Sequence, residues 1–337
     1  MTTTYPNGPT IAGMLFALLL GAGISFLITK APVVPSAPDV HVSAAPPGAC
    51  TYNFVRADGY QYVRPLMFTE PVCASSRFDG LRRGISMLVD SLRSTGTINS
   101  MSVYVRDFRK GEWTAYNGDE RFDPGSLLKV PLLMCYLAMA EEDPAILKRK
   151  YRCEQPDYSV PQFSAFPDKV AEPGQDYTVE QLLELSIVHS DNRATVMLLR
   201  HMSSTRYVKF FTDLGLPPPD WGPAPYPMNA AQYATFLKAL YNVSVLGPRA
   251  SERALRLMTR SSFREGLIAG LPEGLEVAHK FGEAGNPSER QLHESGLVYL
   301  NGHPYIITVM TRGRDTKDLA RAIAATARSV HMYMSNS

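Results

Sequence analysis

Residues 123–139 read DPGSLLKVPLLMCYLAM, and the organisation of the chain follows from this stretch. Asp123, Pro124 and Gly125 make an entry turn, and Pro131 is tolerable only near a helix start, so the apolar run from 126 to 139 reads as a buried helix headed by Ser126. Asp143 and Pro144 mark its exit. Ser126 and Lys129 stand three residues apart at its head, on one face and within mutual reach. A serine hydroxyl is a poor nucleophile until a base takes its proton, and an amine can serve where burial or a nearby cation keeps it neutral. The helix N-terminus also favours a developing oxyanion. On its own, Ser-x-x-Lys is expected about once by chance in a chain this long. A capped helix start with a snorkelling lysine is the bland alternative.

Upstream, residues 78–92 place Leu81, Ile85, Leu88, Val89 and Leu92 on one helical face, ended by Thr95 and Gly96. Strand-like runs follow at 101–108 and 112–116, joined by Arg109, Lys110 and Gly111 as a short hairpin. Downstream, about 145–258 is mostly helical: Thr178 and Gln181 form a capping box, and helices are expected at 193–201, 205–214 and 230–241. Strands return at 276–281, 291–300 and 303–311, with Asn301-Gly302 as a hairpin signal between the last two. Asp315 caps a final helix to about Met332. Strands on both sides of a helical block, without βαβ alternation, give an α/β (α+β) fold. Its antiparallel sheet is flanked by N- and C-terminal helices and joined to an all-α subdomain, with a groove between the two parts.

Two further motifs belong to that groove. Ser190-Asp191-Asn192 follows His189 at a helix end, where a strained polar triplet can turn a hydroxyl and an amide into a cleft, or simply cap the next helix. Lys280-Phe281-Gly282 closes the 276–281 strand and would aim a fixed positive charge at the groove. In this order and on these elements, the three motifs resemble the Ser-x-x-Lys, Ser-Asp-Asn and Lys-Thr-Gly set of class A β-lactamases and penicillin-recognising serine hydrolases. The resemblance covers roughly 78–332. It implies that Ser126 forms the acyl-enzyme, Lys129 accepts its proton, Ser190 passes a proton to the leaving nitrogen and Asn192 holds a substrate amide. It further implies that Lys280 lowers the pKa of Lys129 and Ser190 and attracts a carboxylate, while the backbone amides of Ser126 and Glu283 form the oxyanion hole.

The pattern departs from the family in two places. The loop glutamate that activates the deacylating water is missing: Asp220 is the only carboxylate between Leu214 and Ala231, and a solvated turn residue is its bland reading. Phe281 replaces the motif threonine, removing a hydroxyl suited to a carboxylate and placing an aromatic near the groove, and Glu283 beside it repels an anionic ligand unless it faces away.

Composition frames the rest. With 337 residues, 45% of them hydrophobic, the chain can bury a large core. A net charge of +2 and no basic run with interleaved aromatics exclude a nucleic-acid partner. Residues 11–29, preceded by a tail at 1–10, read as a transmembrane anchor, since 11–28 is almost wholly apolar. Residues 1–10 have no Lys or Arg to make the basic n-region of a secretory signal, and the first positive charge, Lys30, comes after the apolar run, so the segment reads as an uncleaved anchor, with a signal-like segment as the alternative. The positive-inside rule does not itself argue for export. A Pro- and Ala-rich linker spans 30–50, an approach segment 51–77, and the hydrolase domain 78–337. Cys50 and Cys73 are placed to bridge in an oxidising envelope, and Cys135 and Cys153 form a weaker pair; four idle thiols are the alternative. No cysteine spacing matches a metal site, and neither a cofactor nor a metal is implied. The expected activity is acyl transfer through Ser126 on an amide or ester of the cell envelope, a small-molecule or peptidoglycan-like substrate, with weak or no β-lactam turnover. A true β-lactamase and a noncatalytic envelope domain are the alternatives.

Overall fold

A computed structural model describes residues 50–159, 164–166, 168–219 and 226–336. A five-stranded antiparallel sheet is built from β3 (Ser100–Asp107), β4 (Trp113–Tyr116), β7 (Val277–Asn286), β8 (Glu289–Val298) and β9 (Tyr305–Gly313), in the order β4-β3-β9-β8-β7. Strand alternation sorts its side chains. Met101, Val103 and Val105 of β3, with Ile307 and Val309 of β9, pack against Leu81, Ile85 and Val89 of helix α1 (Asp79–Ser94) and the apolar stripe of the C-terminal helix Thr316–Ser335. Tyr104, Ile306, Met310, Ala278 and Leu297 face the other way, onto the helical region. That region contains α2 (Lys129–Glu142), α3 (Val179–Val188), α4 (Asn192–Arg200), α5 (Ser204–Asp213), α6 (Ala230–Tyr241) and α7 (Pro248–Thr259), so the C-terminal helix is α8. The expected α+β fold is present. Capping chemistry sets its helix ends: Thr178 and Gln181 form the capping box of α3, Asn229 and Gln232 that of α6, and Asp315 caps α8 by accepting from the Asp318 N–H.

Three expectations need correction. The helical region is not all-α, because β5 (Lys150–Arg152) and β6 (Asp176–Thr178) pair within it. β7 does not stop at Phe281: it runs to Asn286 and turns at Pro287-Ser288, so Lys280-Phe281-Gly282 lies in mid-strand. Gly282, Ala284 and Gly285 have weak strand propensity, and the ladder to β8 overrides it. Asn301-Gly302 is not a two-residue hairpin either, since the last β8–β9 pair is Val298 with Tyr305.

The segment 51–77 is more than an approach. β1 (Tyr52–Arg56) and β2 (Leu66–Pro71) form a hairpin tied to the domain by Glu70, which bridges Arg106 (2.5 Å) and Lys238, and by Trp113 Nε1 donating to Pro71 O (2.7 Å). Cys50 and Cys73 are disulfide-bonded across the base of this hairpin, with a Cα–Cα distance of 5.7 Å. Cys135 and Cys153 are free and buried, so the second expected pair does not form. The expected anchor at 11–29 lies outside the described residues, among which no helix is long and apolar enough to cross a membrane.

Candidate active site

The entry turn before Ser126 is held on three sides. The Asp123 N–H donates to Gln291 Oε1 (3.1 Å), His293 Nε2 donates to Asp123 O (2.9 Å), and Asp123 Oδ1 accepts from the Gly125 N–H (3.1 Å). The Thr311 N–H donates to His293 Nδ1 (3.2 Å), which fixes the neutral tautomer, and burial pushes this imidazole down to about 3. Burial also raises the Asp123 carboxyl to about 6. Gly125 has φ +50°, and a Cβ there would lie 2.2 Å from Glu283 O; a Cβ on Gly282 would lie 2.4 Å from Pro124 O. Two glycines therefore let the turn rest directly on β7. Ser126 sits half-buried in a single 3-10 turn, Gly125–Leu128, and α2 begins only at Lys129. The helix thus starts three residues later than expected, and Pro131 falls at its third position, where the missing N–H costs nothing.

Lys129 is 4% exposed and its amine is fully engaged. Nζ donates to Ser190 O (2.5 Å), Ser190 Oγ (3.2 Å) and Asn192 Oδ1 (2.8 Å). Burial pushes its pKa down to about 7, against the opposing pull of the Asp191 and Glu283 carboxylates. Lys280, fully buried, donates to Ser190 Oγ (2.8 Å) and Phe281 O (2.8 Å). Its pKa falls well below the usual lysine value, through burial first and the neighbouring Lys129 second.

Ser190 holds these amines together from a left-handed backbone, φ +54°, that a non-glycine residue rarely adopts. Its neighbours fix that conformation: His189 caps the C-terminus of α3, and Asp191 caps the N-terminus of α4, accepting from Arg193 N, Ala194 N and Ala171 N at 2.9, 3.1 and 2.8 Å. Lys129, Ser190, Asn192 and Lys280 thus converge in one network. Ser126 is on the adjoining turn, but its Oγ makes no hydrogen bond to Lys129 among the described residues.

Of the other two motif neighbours, Phe281 differs from expectation. Phe281 does not stand over the Ser126 turn; it packs in the core between sheet and α8, stacked on Phe263 at 4.3 Å. Glu283 does not face away. Its carboxylate accepts from Ser164 Oγ and from the Ala165 N–H (2.9 Å), lies near enough to Lys129 and Lys280 to feel both charges, and has its pKa raised by burial. It lines a cavity of about 720 Å³ with Asn192, Gln291 and Arg314. Asp220 lies outside the described residues. The supporting pair Gln291 and His293 was missed in sequence, although two polar side chains two residues apart, hence on one face of a strand, were a signal that β8 supports a polar structure.

The sequence profile described as the beta-lactamase enzyme family matches residues 85–334. A protein named beta-lactamase from Streptomyces albus G is 28% identical over 244 residues, 66% of this chain and 74% of that protein. Among solved structures, PBP-A superposes with a TM-score of 0.64 at 23% identity, covering 77% of this chain and 97% of that one. The class A beta-lactamase from Mycobacterium abscessus does so with a TM-score of 0.62 at 20% identity, covering 74% and 98%.

Proposed function

Because the chain belongs to the beta-lactamase enzyme family, we propose that it is a serine hydrolase or acyltransferase whose acyl-enzyme forms on Ser126. The observation that carries this reading is the convergence of Lys129, Ser190 and Lys280 beside the Ser126 turn, with Lys129 poised near neutrality. Ser126 Oγ attacks the carbonyl carbon as neutral Lys129 takes its proton, and the backbone N–H groups of Ser126 and Glu283 hold the oxyanion. The bond to the leaving nitrogen or oxygen then breaks, and Ser190 delivers the proton that atom needs, its own being replaced from the lysines. Asn192 holds a substrate amide. Glu283 puts a carboxylate on the groove where a β-lactam carboxylate would need attraction, Phe281 is withdrawn into the core and offers it no hydroxyl, and the sequence has no glutamate in the stretch expected to form the deacylating loop. The substrate is therefore an envelope amide or ester of peptidoglycan-like chemistry, and β-lactams are turned over weakly. The apolar segment at 11–29 tethers the domain to the membrane by the linker at 30–50, with the catalytic part outside the cytoplasm.

Intact mass after a fluorescent penicillin or fluorophosphonate tests this directly: an adduct on the wild type, absent in Ser126→Ala, is expected. The name of the Streptomyces albus G relative favours a second reading, a β-lactamase proper. Nitrocefin turnover at ordinary β-lactamase rates, abolished by Ser126→Ala, would establish it and reject weak turnover.

A further inference from the structure

The β1–β2 hairpin carries most of the uncovered apolar surface. Of the ten large hydrophobic side chains left exposed among the described residues, seven fall within residues 52–72, a concentration unlike the single apolar residues scattered over an ordinary surface. Strand alternation accounts for part of it. Val55 and Phe68, opposite one another, turn onto the helical region, so Tyr52 and Phe54 are left on the outer face, opposite Pro71 and Thr69. The rest comes from the loop between the strands, where Tyr60, Tyr62 and Val63 are exposed, Tyr62 by 88%. Backbone carbonyls hold that loop in shape: Arg56 Nη1 donates to Arg64 O (2.7 Å), Arg64 Nη1 to Tyr60 O (2.8 Å) and Lys209 Nζ of α5 to Asp58 O (3.3 Å).

The point where the chain enters the hairpin says what covers it. The apolar run at 11–28 leads through the Pro-rich linker to Cys50, and Cys50 is bonded to Cys73 at the hairpin's base. A linker over 30–50 spans at most on the order of 70 Å, so an anchor at 11–29 keeps the bilayer beside this end of the domain at high effective concentration. The chemistry of the hairpin suits a lipid surface. Tyrosine rings settle between acyl chains and headgroups, and cations beside them meet lipid phosphate. Arg56, Arg64 and Lys209 supply those cations, with Asp58 paired to Arg64 and Asp213 to Lys209.

Resting on the membrane tether of the proposed function, we propose that the β1–β2 hairpin is a membrane-docking element, which seats Tyr60, Tyr62 and Val63 in the interfacial layer of the bilayer that anchors the chain. Docking gives the catalytic domain a fixed orientation to the membrane, where the linker alone would let it swing.

The test uses the full chain in vesicles of phosphatidylcholine and phosphatidylglycerol, with brominated phosphatidylcholine as quencher and Tyr62→Trp as reporter. The native Trp113 and Trp221 set the background. Tyr62→Trp is expected to lose emission beyond the wild-type loss, and Met332→Trp, exposed on α8 across the sheet, is expected to stay at the wild-type level. Adding Tyr60→Asp and Val63→Asp, both at exposed positions, is expected to return Tyr62→Trp to the wild-type level. Flotation of wild type with the vesicles reads the tether separately: failure to float rejects the tether and the docking with it, whereas flotation without extra quenching of Tyr62→Trp rejects the docking alone. Equal quenching of Met332→Trp overturns the proposal, and so does an unquenched Tyr62→Trp emission that shifts to the blue with protein concentration, the mark of a second copy on the patch.

Discussion

At Ser190, one hydroxyl oxygen accepts from Lys280 at 2.8 Å and from Lys129 at 3.2 Å. A hydroxyl has two lone pairs and one proton, so with both lone pairs engaged its own O–H is turned away from the lysines. That geometry suits proton delivery into the groove. Ser190→Ala is expected to slow acylation of Ser126 by about 10²–10⁴-fold, with circular dichroism unchanged because the backbone of the triplet is held by the Asp191 cap. Glu283 acts on the same cluster through charge. Its carboxylate raises the Lys129 pKa, so Glu283→Gln should move the rising limb of the acylation pH profile to lower pH; a shift to higher pH would show that Glu283 is not facing Lys129 as an anion.

Among the elements, the contact between the Ser126 turn and β7 sets the site, because Gly125 and Gly282 leave no room for a Cβ. Gly282→Ala is expected to cost about 3 kcal/mol of stability, the order of an overpacked contact, and to lower acylation beyond what the stability loss explains; urea denaturation and probe labelling read the two effects separately. The start of α1, the span of α6 and the Asp315 cap were legible because apolar period and capping residues act locally. The three motifs were legible as strings, and Lys129, Ser190, Asn192 and Lys280 do meet. The length of β7 and the β5–β6 pair were not legible, since each depends on a partner strand distant in sequence. The burial of Phe281 was hidden for a related reason: strand parity tells which residues share a face, but only the packed α8 and Phe263 show where that face lies.

Across the whole molecule, the site lies between a sheet and a helical region held together partly by charge. Glu70 bridges Arg106 on β3 and Lys238 on α6, all three largely buried. Glu70→Ala leaves two cations without their carboxylate and is expected to cost about 3–5 kcal/mol, measured by chemical denaturation. Lys129 links stability to pH in the opposite sense from a paired lysine. Its folded pKa is depressed from 10.5 to about 7, so between those values the unfolded chain binds the proton more tightly and stability falls as pH is lowered, levelling off below about 7. Lys129→Met should raise Tm at pH 7 and flatten this dependence, while abolishing acylation. The most direct measurement is the rate at which a fluorophosphonate adds mass to Ser126 as pH is varied. The account predicts a rate that rises with pH, has a midpoint near 7 set by Lys129, and is absent in Ser126→Ala; a rate that falls through neutrality, or an adduct on another residue, would contradict it.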